Sequence, residues 1–114
     1  MLGDVSLGPP MEPLRDYEGR SIRLTEERWV HISEHPEMVG MRTAVEEALQ
    51  RPEIVVQSSG DPEARLYYRF YPRTVVGGKY LCAVVKVRGD DAFVVTAYLT
   101  DQVKRGSALW QAKP

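Results

Sequence analysis

The sequence predicts an α+β domain: two N-terminal helices packed on a four-stranded antiparallel sheet, closed by a short C-terminal helical turn. Three observations carry this. Apolar residues recur at helical spacing as far as Pro52 and alternate in twos beyond it. Four stretches rich in β-branched and aromatic residues then follow one another. The joints between them are short and rich in Gly, Pro and Asp, which makes neighbouring strands antiparallel. Helices first and strands afterwards is the α+β order. The chain has 114 residues, the size of one domain, with 43% apolar and 27% charged side chains. No apolar run approaches the ~20 residues of a membrane span, and the N-terminus lacks a signal-peptide pattern. Cys82, the lone cysteine, lies inside an apolar run and cannot form an internal disulfide. A cytoplasmic protein without a membrane partner is expected.

Residues 1–20 contain Pro9, Pro10 and Pro13 and no apolar period, so they read as a flexible leader without a chemical role. The domain is then residues 21–114. Thr25 suits an N-cap, and Glu26 and Glu27 place negative charge in the first helical turn. Arg28 stands where a capping box would want Glu or Gln. This helix is expected to reach His35, since Pro36 disfavours helical angles in the residue before it. Pro36 can open the second helix, whose apolar face is Met41, Val45, Ala48 and Leu49. Arg51-Pro52 stops it. Strands follow at Ile54–Gln57, Arg65–Tyr71, Lys79–Val87 and Phe93–Thr100. Thr100-Asp101 resembles the cap of a last helical turn, ended by Lys104, Arg105 and Gly106.

Alternation sorts the last three strands into two rows. Leu66, Tyr68, Phe70, Leu81, Ala83, Val85, Val87, Phe93, Val95, Ala97 and Leu99 make an apolar row for the helices to cover. The other row is Arg65, Tyr67, Arg69, Tyr71, Tyr80, Cys82, Val84, Lys86, Val94, Thr96, Tyr98 and Thr100. Cations, tyrosines and threonines on one face suit a phosphodiester: Arg and Lys neutralise phosphate, rings stack on bases, and hydroxyls bond phosphate oxygens. A simply solvated sheet face, built from good strand formers, is the plain alternative. The charge split adds to the phosphodiester case. Residues 1–64 carry 6 basic and 13 acidic side chains, residues 65–114 carry 9 basic and 3 acidic. A basic half can attract a polyanion although the whole chain is nearly neutral.

His31 and His35 are four residues apart, the spacing of one helix face. His31-Ile32-Ser33-Glu34-His35 also spells H-x-x-E-H, a zinc-hydrolase pattern in which Glu34 would be the base. Pro36 at once ends the helix, and no third ligand offers itself, so no metal or other cofactor is expected. Metal-free acid–base work is the stronger use of a histidine: it can take a proton from a ribose 2′-hydroxyl or return one to a leaving oxygen. Arg69, Lys79 and Lys86 are the candidate cations for the charge that builds on phosphate. A capping or surface role is the plain alternative for either histidine.

Arg23-Leu24-Thr25-Glu26-Glu27-Arg28-Trp29, His31-Ile32 and His35-Pro36-Glu37 together resemble the opening of the phage-associated barnase–EndoU–colicin–RelE-like (BECR) nucleases. Asp61-Pro62, Tyr67-Tyr68-Arg69, Gly78-Lys79-Tyr80-Leu81, Val84-Val85-Lys86 and Thr96-Ala97-Tyr98-Leu99-Thr100 continue the likeness, in order, over residues 22–106. The resemblance implies a metal-independent ribonuclease, used as a toxin or by a mobile element, with RNA as partner and an immunity or antitoxin protein as a further one. It implies His31, with His35 beside it, as acid or base, Lys86 or Lys79 as the strand cation, and Thr96 or Thr100 as the hydroxyl. The expected reaction is attack of the 2′-hydroxyl to give a 2′,3′-cyclic phosphate. His31, His35, Lys86 and Thr96 are then catalytic, while Arg69, Lys79, Tyr67, Tyr98 and Thr100 bind substrate. An inactive nucleic-acid- or protein-binding module, and a zinc hydrolase using His31, Glu34 and His35, are the rival readings.

Overall fold

Order begins before Ser21. In the computed structural model, which describes residues 13–113, β1 (Leu14–Arg15) and β2 (Ser21–Ile22) pair antiparallel. Of the expected leader, residues 1–12 lie outside the described residues, and Leu14 onward is part of the fold. Asp16 shapes the turn, because its Oδ1 accepts the backbone N–H of Glu18 at 3.0 Å and of Arg20 at 2.8 Å. Gly19, at φ +82°, supplies the left-handed step that a side chain would resist.

Thr25 starts the first helix as expected: its Oγ1 accepts the Arg28 N–H at 3.0 Å. That helix, α1 (Glu26–Ile32), is shorter than its sequence suggests. The Ser33 hydroxyl donates to Trp29 O at 2.9 Å and Val30 O at 3.1 Å, turning the last carbonyls inward. Pro36 opens a single 3-10 turn, Pro36–Met38, in place of a second long helix. The chain then passes Gly40 and enters α2 (Arg42–Gln50), which buries Val45, Ala48 and Leu49 at the expected spacing.

The strands are β3 (Ile54–Gln57), β4 (Ala64–Thr74), β5 (Gly77–Arg88), β6 (Asp91–Thr100) and β7 (Ser107–Gln111). They form one antiparallel sheet in the order β6-β5-β4-β3-β7. This overturns the expected α+β arrangement of two helices on a four-stranded sheet with a C-terminal helical turn. Among the described residues the fold is mostly sheet, five strands in one and two in another, with two α-helices of 7 and 9 residues. The last segment is a strand because it must travel: β7 pairs with β3, at the opposite edge from β6. Residues 101–106 cross in irregular backbone over the face away from the helices. There Val103 packs on the cluster of Val56, Leu66, Tyr68 and Cys82, and the Lys104 N–H donates to Tyr68 Oη at 3.0 Å.

The two faces differ from the expected rows. Tyr67 stands opposite Ala83 and Arg69 opposite Leu81, so β4 presents Tyr67, Arg69 and Tyr71 to the helices. Leu66, Tyr68 and Phe70 lie on the second face. A shift of one residue in pairing moves every side chain of a strand to the other face, and β4 is aromatic on both, so alternation within the strand could not fix its phase. On β6 a bulge between the partners of Val84 and Val85 turns Ala92 and Val94 inward, leaving Phe93 with Thr96, Tyr98 and Thr100 on the second face. The main core is Ile22, Leu24, Ile32, Met38, Val45, Ala48, Leu49, Val55, Tyr67, Leu81, Ala83, Val85, Ala92, Val94 and Ala97. Among the described residues no helix is long and apolar enough to cross a membrane.

Candidate functional site

The helices cover one face of the sheet, so the second face is where strand side chains meet solvent. Lys86 stands opposite Phe93 and Val84 opposite Thr96, so Lys86 and Thr96 are diagonal neighbours on β5 and β6. Lys86 Nζ lies 3.2 Å from Asp61 Oδ2. The Asp61 carboxyl is held below its ordinary range by the Glu63 N–H it accepts, and then by Lys86. Tyr98 pairs with Cys82, and Lys104 Nζ sits 5.9 Å above its ring. Burial pushes the Tyr98 hydroxyl well above its ordinary range, and Cys82 adds to this. Thr100 faces Tyr80 across the strands and steadies the turn after β6 by accepting the Gln102 N–H at 3.3 Å. Tyr80 meets Phe70 edge-on at 5.2 Å and Tyr68 at 6.3 Å. Lys86, Thr96, Tyr98 and Thr100 thus share one face, each part-buried, with Lys86 and Thr100 near opposite ends of the β5–β6 pair.

Three more expected residues are placed elsewhere. Tyr67 is buried under the helices, where its hydroxyl donates to Asp16 Oδ2 at 2.7 Å. Arg69 lies on the same side: its Nη1 donates to Arg51 O at 2.7 Å, and its Nε is 3.4 Å from Glu47 Oε1. Both hold the fold together and cannot meet a substrate lying on the second face. Lys79 is ion-paired with Asp101 at the end of the sheet.

Arg69 shares Glu47 with Tyr71, whose hydroxyl donates to Glu47 Oε1 at 2.6 Å. That bond chiefly lowers the Glu47 carboxyl below its ordinary range, with Arg69 and Arg51 assisting against partial burial. A carboxyl lowered in the folded state contributes stability above its unfolded pKa and loses it as pH falls through the folded value. Glu47→Gln is therefore expected to lower the urea midpoint at about pH 7, with the difference from wild type smaller at about pH 2.5. An equal difference at both pH values would refute this role for Glu47.

The histidines are separated from the sheet cations. His31 is exposed on α1, with its Nδ1 3.4 Å from Glu34 Oε1. It lines a surface depression of about 280 Å³ with Glu27 and Arg28. The Arg28 guanidinium makes no ion pair among the described residues, which local sequence cannot show. His35 lies beyond the helix in extended backbone, φ −81° and ψ 116°. Because α1 ends at Ile32, H-x-x-E-H does not share a helix face, which is what the zinc reading required. Among the described residues no three His, Cys, Asp or Glu side chains converge on a metal position.

Another cluster was not anticipated. Arg23 and Arg88 sit over the Phe93 ring at 5.3 and 6.0 Å. Asp91 grips Arg23 through two bonds of 3.0 and 2.8 Å, and Glu63 accepts from Arg88 at 3.0 Å. The Arg23 part of it arises because residue 23 bridges to Phe93 along the outer edge of β6, a pairing no local pattern announces. A search of known protein families, curated proteins and solved structures finds no match to this chain.

Proposed function

We propose that the protein binds single-stranded RNA across the accessible half of its second sheet face. The observation that carries this is the row of Thr96, Tyr98 and Thr100 along β6 on the face the helices leave bare, with Lys86 at one end, Tyr80 opposite Thr100 at the other and Lys104 above Tyr98. Cations follow the phosphates, hydroxyls bond their oxygens, and ring faces accept unstacked bases whatever their sequence. The likeness to BECR nucleases over residues 22–106 supports the same substrate.

A second reading, metal-independent cleavage, is favoured by the depression on α1. There one imidazole, one guanidinium without an ion pair among the described residues and one carboxylate line the same surface. Those are the groups needed to move protons and to balance charge on a phosphorane-like transition state. His31 would take the 2′-hydroxyl proton or deliver one to the 5′ oxygen, and Arg28 would face the phosphate.

The test is a fluorescent RNA pool in EDTA, read for binding and for cleavage in wild type, Lys86→Ala and His31→Ala. Wild type should bind, with affinity falling steeply as salt rises, and Lys86→Ala should lower the salt slope by about one. Products with cyclic-phosphate ends that vanish in His31→Ala would establish the second reading. Absence of wild-type binding at low salt would refute the proposal.

A further inference from the structure

Beyond the Lys86–Thr96 patch, the second face holds a cavity of about 380 Å³, where the crossing segment passes the start of β3. Its walls include Ile54, Val103 and Tyr80, two aliphatic side chains and a ring; Glu53, Gln111 and Lys113 supply its polar groups. That combination of apolar walls and few polar groups, at that volume, is the usual character of a small-ligand site. The polar groups are only partly committed. Glu53 Oε2 accepts the Phe70 N–H at 3.2 Å, while its Oε1 has no hydrogen bond among the described residues. The Gln111 amide and the Lys113 ammonium likewise have no side-chain partner among them. The walls are also held in place from behind, since Tyr80 is braced edge-on by Phe70 and Tyr68 and Val103 by the Lys104–Tyr68 bond.

We infer that this cavity receives one unstacked nucleobase and discriminates against uracil. The inference rests on the RNA reading for its substrate but, Tyr80 apart, uses different residues. A base is flat and apolar on its faces, which suits Ile54, Val103 and Tyr80, and polar along its edge, which suits Glu53 and Gln111. Adenine, cytosine and guanine each carry an exocyclic amino group that can donate to the free carboxylate oxygen. Uracil offers one N–H between two carbonyl oxygens, and both oxygens are repelled by the carboxylate. Lys113 is placed to meet the phosphate attached to the bound nucleoside.

Methyl NMR of the folded protein, followed at Ile54 and Val103, tests this with the four nucleoside 5′-monophosphates and with a short single-stranded RNA. AMP, CMP and GMP should shift both methyl signals through the ring current of the bound base, and UMP should bind about tenfold more weakly. Glu53→Gln should abolish that difference, and Lys113→Ala should weaken all of the nucleotides together. Silence of both methyls with every nucleotide, while RNA perturbs Lys86 and Thr96, overturns the pocket and leaves the RNA face standing. Nucleotide binding in the cavity without any RNA binding supports the pocket and sinks the RNA reading. Equal binding of UMP in the wild type overturns the role given to Glu53.

Discussion

Asp16→Ala is expected to cost about 3–5 kcal/mol of stability, since it breaks a buried hydrogen-bond network and leaves the Tyr67 hydroxyl without its acceptor. The carboxylate is fully buried and is the meeting point of four donors. They are the Tyr67 hydroxyl at 2.7 Å, Arg20 Nη1 at 3.1 Å, and the backbone N–H groups of Arg20 and Glu18 at 2.8 and 3.0 Å. Alanine leaves a hydroxyl in the main core without a partner and frees the β1–β2 hairpin from the sheet. At about 4–8 °C per kcal/mol, the melting temperature should fall by at least roughly 12 °C. Tyr67→Phe keeps the ring and the Arg20 pair, so its cost should be nearer about 1 kcal/mol. The double variant should be less damaged than the sum, because phenylalanine removes the group that Asp16→Ala strands. Urea unfolding of the three variants decides it. A loss below about 1 kcal/mol for Asp16→Ala would mean that water can replace the carboxylate.

Gly106→Ala is expected to loosen the crossing segment. A β-carbon there would overlap the Gln57 carbonyl oxygen and stand 2.5 Å from Val56 Cγ1. One contact is backbone in a paired strand and the other a stiff β-branched side chain, so the crossing chain is the part that must lift. Overpacking of this kind costs about 1–3 kcal/mol. The more telling readout is Cys82, which is fully buried and whose thiol burial pushes above its ordinary range. Lifting residues 101–106 uncovers it, so labelling by a thiol reagent in native buffer should accelerate by about tenfold or more. Unchanged labelling together with unchanged stability would show that the segment has room to adjust.

Local signals in the sequence were legible where one element decides its own state. The Thr25 cap, the buried face of α2 and the limits of β3 follow from residues within a few positions of each other. What depended on partners far along the chain was hidden. Tyr67 and Tyr68 are both fully buried, on opposite faces, so neither polarity nor size marks which one meets the helices. The β6 bulge moves Phe93 and Val94 across the sheet, although Phe93–Thr100 alternates without a visible break. Ser107–Gln111 carries no strong alternation and is exposed throughout; only its pairing with β3 makes it a strand. The expected site suffered the same way. Lys86, Thr96, Tyr98 and Thr100 belong to β5 and β6, whose second-face phase was read correctly from Tyr80 to Lys86, while Tyr67 and Arg69 went astray with β4. Arg28 stands three residues before His31, but exposure and the lack of an ion pair among the described residues are properties only the folded chain displays.

The crossing segment also sets an order of events during synthesis. Gln57 finds its outer partner in Ser107, about fifty residues later, so β3 remains an open edge while β4, β5 and β6 are made and paired. Closing so long a loop comes late, because its entropy must be spent before the contacts it brings can repay it. Until then Tyr68 and Cys82 face water, and the thiol that is inert in the finished molecule is open to oxidants on the ribosome-bound chain. Susceptibility to oxidative damage is thus a property of the unfinished polypeptide, and it ends when the last strand docks.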